Sequence, residues 1–245
     1  MIAFRHLCAY AALAGALASG CGAPHGQPPA GDPPMVPNQV SDFKVLFASN
    51  CAGCHGTDGK GGAAIALANP EYLAIVDDGT LRHVASTGIR GTSMPAFAQS
   101  AGGMLTDKQI DAIVGGIRNH WSKPNSLRGS IPPPYSSTES GDASRGSKVY
   151  ATYCQSCHGI GDHDGRKASS VVDGSFLALL SNQELRTIVI VGRPELGAPD
   201  WRNDVPGQPM TAQDVSDVVA WLAAQRPQFP GQPYPTTQKS TGEIP

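Results

Sequence analysis

Cys51-Ala52-Gly53-Cys54-His55 and, about a hundred residues later, Cys154-Gln155-Ser156-Cys157-His158 decide how this chain is read. Each stretch has the form C-x-x-C-H. Two thiols three residues apart on one helical turn both reach the vinyl groups of one porphyrin, and the following imidazole then projects at the iron. A lone match is compatible with accident or with half a zinc site. A repeated match in similar surroundings points instead to two covalently attached c-type haems, and hence to electron transfer.

Composition agrees. The 245 residues suit two small domains plus connecting segments. Twenty-nine glycines and 21 prolines make about a fifth of the chain, and only 6% is aromatic, so the polypeptide alone is thin in core. A haem in each domain supplies the missing apolar bulk. The formal net charge of −2 gives no basic stripe of the kind nucleic-acid binding requires. Four of the six cysteines sit in the haem motifs. Cys8 and Cys21 lie in or at the end of the N-terminal apolar run, so no pair is left for a structural disulfide.

The start of the chain reads as an export signal over residues 1–20. Arg5 and His6 form a short basic start, and Leu7 to Leu17 an apolar run too short for a permanent span. Leu17-Ala18-Ser19-Gly20-Cys21 resembles the lipobox of bacterial lipoproteins, although its Leu stands four places before the Cys rather than three. The resemblance implies a lipidated Cys21 that tethers the mature protein to a membrane surface without spanning it. The competing reading is an ordinary signal peptide cut near Ala18 or Ala23. Residues 21–40, rich in Pro and Gly, form a spacer. Export fits the cofactor, because c-type haem is attached outside the bacterial cytoplasm.

The two halves also repeat outside the motifs. A helix is expected from Ser41 to Asn50 and from Ser144 to Tyr153, with Phe47 and Tyr150 each four residues before the first motif cysteine. Leu81-Arg82 and Gly88 match Leu185-Arg186 and Gly192. Each half ends in a helix that Thr106 or Thr211 N-caps, with apolar stripes Ile110, Ile113, Val114, Ile117 and Val215, Val218, Val219, Leu222. This pattern resembles the class I cytochrome c family over residues 41–121 and 143–226. The resemblance implies an all-α fold of two tandem cytochrome c-like domains, each wrapped around one covalently bound haem. Residues 122–142 read as linker and 227–245 as a Pro-rich tail.

In that family the proximal ligand is the motif histidine, here His55 and His158, and the sixth iron ligand is usually a loop methionine, which raises the potential relative to bis-His ligation. Ser93-Met94-Pro95-Ala96-Phe97 matches the Met-Pro loop, so the resemblance implies Met94 for the first haem, with Met104 as the rival. The second half departs from the pattern: Ala198-Pro199-Asp200-Trp201 stands at the matching place. Three readings compete there: Met210 ligates through a rearranged loop, the distal face is open or holds water, or another group such as His163 binds. Arg90 and Arg193 lie near the distal loops and pair with propionates or sit on the surface; the surface reading is preferred. Phe97, Trp201 and Trp221 read as haem-packing or core aromatics, and His83 and His120 as solvent-facing.

The function expected is that of a dihaem electron carrier, membrane-tethered in the periplasm, passing single electrons between redox proteins or membrane-bound partners. A dihaem peroxidase is the enzymatic alternative, kept open by Ala198 but lacking a visible distal acid–base pair. A cytochrome subunit of a larger dehydrogenase or oxidase complex is the third reading.

Overall fold

The computed structural model describes residues 36–160, 167–203 and 205–227. The expected export signal, the Cys21 anchor, most of the 21–40 spacer, His163 and the tail beyond Pro227 lie outside the described residues. Ten α-helices are described. The first half holds α1 (Phe43–Asn50), α2 (Ala52–His55), α3 (Pro70–Ile75), α4 (Asp78–Thr87) and α5 (Asp107–Trp121). The second holds α6 (Ala143–Tyr153), α7 (Gln155–His158), α8 (Gly174–Leu179), α9 (Asn182–Val191) and α10 (Ala212–Ala224). Both sets lie within one compact unit that begins at Pro37. Among the described residues the only β pairing is two isolated bridges, Ala98 with Leu105 and Arg193 with Ala198. No helix among the described residues is long and apolar enough to cross a membrane.

The helix starts follow from local chemistry. The α1 start falls two residues later than the sequence suggests, because the Asp42 carboxylate accepts the Val45 N–H at 2.9 Å and so becomes the N-cap. Asp142 does the same for α6, accepting from Ser144 and Arg145. Asn69, Asp77, Asp173 and Ser181 cap α3, α4, α8 and α9. Thr106 and Thr211 cap α5 and α10 as expected, each completed into a reciprocal box by Gln109 or Asp214.

Packing follows the apolar stripes. Ile110, Ile113, Val114 and Ile117 of α5, and Val215, Val218, Val219 and Leu222 of α10, are all buried. Each terminal helix crosses the first helix of its own half. Phe47 meets Trp121 edge-on at 5.0 Å between ring centroids, and Tyr150 lies 4.4 Å from Trp221.

The halves also touch each other. The Asn69 side chain caps α3 through its oxygen and donates its amide N–H to the Val191 carbonyl at the end of α9. Arg202 pairs with Glu71 and donates to the Leu127 carbonyl. The segment read as linker is tied down at its far end, where Pro134 and Tyr135 carbonyls accept from Arg186.

Candidate functional site

Cys51 ends α1 and Cys54 and His55 fall on the single turn α2, so the motif residues share one face by helical geometry. The His55 ring is buried, and its Nδ1–H donates to the Ile65 carbonyl at 2.8 Å. That bond fixes the tautomer and leaves Nε2 with its lone pair. Nε2 is buried and has no hydrogen-bond partner among the described residues. Burial pushes the imidazole pKa down, the Ile65 bond opposes this, and the nearby Arg193 charge pushes it down further. A neutral, oriented imidazole with a free Nε2 is the form an axial metal ligand takes.

His55 lines a cavity of about 460 Å³ together with Cys51, Cys54, Ile65, Phe97, Ile113 and Val114. That volume lies within the range of cofactor cavities, roughly 300–1,000 Å³. Met94 lines the same cavity. Its loop is set by Gly88, whose φ of +67° ends α4 in a conformation that suits glycine. The Ile89 N–H then donates to the Met94 carbonyl at 3.0 Å, and Thr92 Oγ1 accepts the Met94 N–H. Met104 is 79% exposed and takes no part in the lining. The structure therefore brings Cys51, Cys54, His55 and Met94 around one cavity.

Burial raises the Cys51 thiol to about 11, with Cys54 adding to the rise, and Cys154 is likewise raised to about 11 by burial and by Cys157. Thiol-exchange sites need the opposite, a depressed pKa and a ready thiolate. Among the described residues no three His, Cys, Asp or Glu side chains come together as a metal cluster. An unpartnered axial imidazole, two adjacent thiols and an apolar cavity do fit a covalently held haem.

In the second half Cys154, Cys157 and His158 repeat the arrangement on α7. His158 Nδ1–H donates to the Ser169 carbonyl at 2.7 Å, the counterpart of the Ile65 bond. Residues 161–166, which include His163, lie outside the described residues. Gly192, with φ of +66°, ends α9, and the Arg193 N–H donates to the Ala198 carbonyl at 3.0 Å. Ala198 thus occupies the register of Met94. Met210 is buried, and its N–H donates to the Trp201 carbonyl at 2.8 Å, as Leu105 N–H does to Phe97 in the first half. Met210 therefore stands where Leu105 lines the first cavity, not on the distal turn.

Two features were not anticipated. Arg193, read as a surface residue, has a side chain only 13% exposed; it pairs with Glu195 and donates to the Gly62 carbonyl of the first half at 2.9 Å. Arg90 is exposed, as are His83 and His120, although His120 also stacks on Phe43. Trp201 is buried and Phe97 lines the first cavity. The second surprise is that Phe176, Leu180, Gln183, Glu184 and Thr187 of the second half, with Tyr135, also line the first cavity. Taken as separate repeats the halves give no sign of this; the apolar run Phe176-Leu177-Ala178-Leu179-Leu180 is the available signal.

A helical repeat that presents an axial imidazole and two thiols to one apolar cavity defines a class I c-type cytochrome, a protein that transfers electrons through covalently bound haem. More particularly, the family model described as cytochrome C oxidase, cbb3-type, subunit III matches residues 38–115 and 141–222, and the chain belongs to that family. A curated relative, the Cbb3-type cytochrome c oxidase subunit FixP of Sinorhizobium medicae (strain WSM419), is 25% identical over 183 residues. That match takes in 69% of this chain and 56% of the relative, so the chain spans little more than half of it. A solved chain of the Kuenenia stuttgartiensis reducing HAO-like protein complex aligns with a TM-score of 0.42 and 13% identity, over 77% of this chain and 97% of that one.

Proposed function

We propose that this protein is a dihaem cytochrome c, exported and held at the periplasmic membrane surface by a lipid on Cys21, that passes single electrons to or from a respiratory membrane complex. Bound haem c supplies the reversible ferric–ferrous couple. The observation that carries the reading is the paired hydrogen bond, His55 Nδ1–H to the Ile65 carbonyl and His158 Nδ1–H to the Ser169 carbonyl, which orients one imidazole in each half for metal ligation. Cys51 with Cys54, and Cys154 with Cys157, form the thioethers. Met94 would hold the first iron through its thioether, a donor that would raise the potential. The cbb3-type family match and the FixP relative support an oxidase as the partner complex.

For the second iron we place Met210 as sixth ligand, because its register is that of a cavity-lining side chain. Ala198 in the Met94 register favours a second reading, an open distal face that binds small ligands or peroxide. Mass spectrometry of the exported protein, expected to show two haem additions, tests the count. Visible and EPR spectra of Met94→Ala and Met210→Ala test the ligands. Each variant is expected to turn its own haem high-spin and lower that haem's potential by ~100 mV or more, within the wide range that axial ligands control. An unchanged low-spin spectrum in either variant removes that methionine from the iron. A high-spin component already present in the unmodified protein establishes the open face instead.

A further inference from the structure

We propose that Arg193 is a positioning residue that couples the two haem sites, its guanidinium anchoring the proximal loop of the first site from the distal loop of the second. The inference rests on the two-haem reading and deepens it.

Arg193 belongs by backbone to the second site. Its N–H and carbonyl close the turn with Ala198, the turn that Ile89 and Met94 form in the first half, and Ile89 lines the first cavity. Its side chain belongs to the first site. The guanidinium donates to the Gly62 carbonyl at 2.9 Å. Gly62 is packed directly on the motif: a Cβ there would lie 2.1 Å from the Cys54 carbonyl oxygen. Two residues on, the Ala64 N–H donates to that same Cys54 oxygen at 3.0 Å, and Ile65 receives the His55 Nδ1–H. The chain of contacts from Arg193 to the axial imidazole is therefore continuous, through one short loop.

Two effects follow. A fixed positive charge beside the first site opposes the extra positive charge of a ferric iron and favours the ferrous state. A held Gly62–Ile65 loop keeps the carbonyl that orients His55 in place. Glu195 pairs with Arg193 and partly cancels its charge, and with both side chains largely buried the cancellation is incomplete only by geometry. Glu195 is thus the natural counter-probe.

The test is a potentiometric titration of the holoprotein in Arg193→Gln, Arg193→Lys and Glu195→Gln, with the first haem assigned by its loss of low-spin signal in Met94→Ala. Arg193→Gln is expected to shift the first haem about three- to tenfold toward the ferric form, up to ~59 mV for one electron. Arg193→Lys should retain most of the unmodified value, and Glu195→Gln should move the first haem the opposite way. Circular dichroism establishes that each variant is folded, and a variant that fails to fold leaves the other two to decide. A first-haem potential unmoved in both Gln variants, or equal shifts in both haems, overturns the coupling. A single haem in the mass spectrum overturns the dihaem reading itself, which is a separable failure.

Discussion

The two halves solve one packing problem with opposite parts. Where the first helix of each half crosses its terminal helix, one side must be small. In the first half the small side is Gly116 on α5, and Phe43 of α1 fills the space: a Cβ at 116 would lie 2.0 Å from the Phe43 ring. In the second half the residue aligned with Phe43 is Gly146, and the one aligned with Gly116 is Trp221. There a Cβ at 146 would lie 2.0 Å from the Asp217 carbonyl oxygen and 2.7 Å from the Trp221 Cβ. The knob and the hole have changed helices. The repeat conserves summed volume at the crossing and not residue identity, which is what dense packing requires.

The exchange is not symmetric in what it tolerates. Alanine favours an isolated helix interior over glycine by ~1 kcal/mol, so any loss must come from the crossing. At Gly146 the obstacle is backbone, and the helices must part. Gly146→Ala is expected to destabilise the holoprotein by about 2–4 kcal/mol, the largest effect here. At Gly116 the obstacle is a side chain that can rotate, so Gly116→Ala should cost less than ~1.5 kcal/mol and be relieved by Phe43→Leu. Denaturant midpoints with an unchanged m-value would measure both. A Gly116 variant weaker than the Gly146 variant would break the comparison.

A second pair of regions differs in chemistry. Each half ties the chain entering its first helix to its terminal helix. In the first half Gln109 does so, donating to the Pro37 and Val40 carbonyls at 2.9 and 3.0 Å. In the second half the buried Asp217 does so, accepting from the Asp142 N–H at 2.7 Å, from Arg145 at 2.7 and 2.9 Å, and from Gln213 at 2.8 Å. The hydrogen bond to Arg145 is the main cause holding the Asp217 carboxyl below its ordinary value of 3.8. A depressed carboxyl pKa gives stability that is full above the ordinary value and lost as pH falls through the folded one. Asp217→Asn should therefore cost about 1–2 kcal/mol at pH 7, discounted because Arg145 is half exposed, and the gap should close in strong acid. Gln109 carries no charge, so its tie should be indifferent to the same titration. Equal acid sensitivity of Gln109→Ala and Asp217→Asn would refute the distinction.

What was legible in the sequence follows the same division. The cavity's motif residues, the terminal-helix stripes and the Thr106 and Thr211 caps are local patterns, and each appears in the structure where its spacing put it. The exchange between Phe43/Gly116 and Gly146/Trp221 was present in the alignment of the halves. It was invisible to a search for matching residues, because the match is between sums across two helices. Contacts between halves left no periodic trace at all. Arg193 looked like a surface arginine because nothing in a linear pattern brings Gly62 to it, and Tyr135 looked like linker for the same reason. The cytochrome fold was thus readable from each half alone, and the partnership of the halves was not.

The smallest predicted effect tests that partnership. Glu184 lies in the first turn of α9 in the second half, yet it lines the first cavity together with Thr187 and Tyr135. Burial raises its pKa above the ordinary 4.5, opposed by a hydrogen bond from the Ser181 backbone to its carboxyl. A raised carboxyl pKa means the ionised form is disfavoured in the folded protein. Stability is then greatest below the ordinary value and declines as pH rises through the folded one. Glu184→Gln keeps the shape and removes the charge, so a small rise in Tm is expected at pH 7 and none at pH 4. If cavity burial by the other half is the cause, truncating a lining side chain of the first half, as in Ile65→Ala, should shrink the difference by admitting water. A Tm difference independent of pH would show that the Gln variant acts through α9 alone and not through the shared cavity.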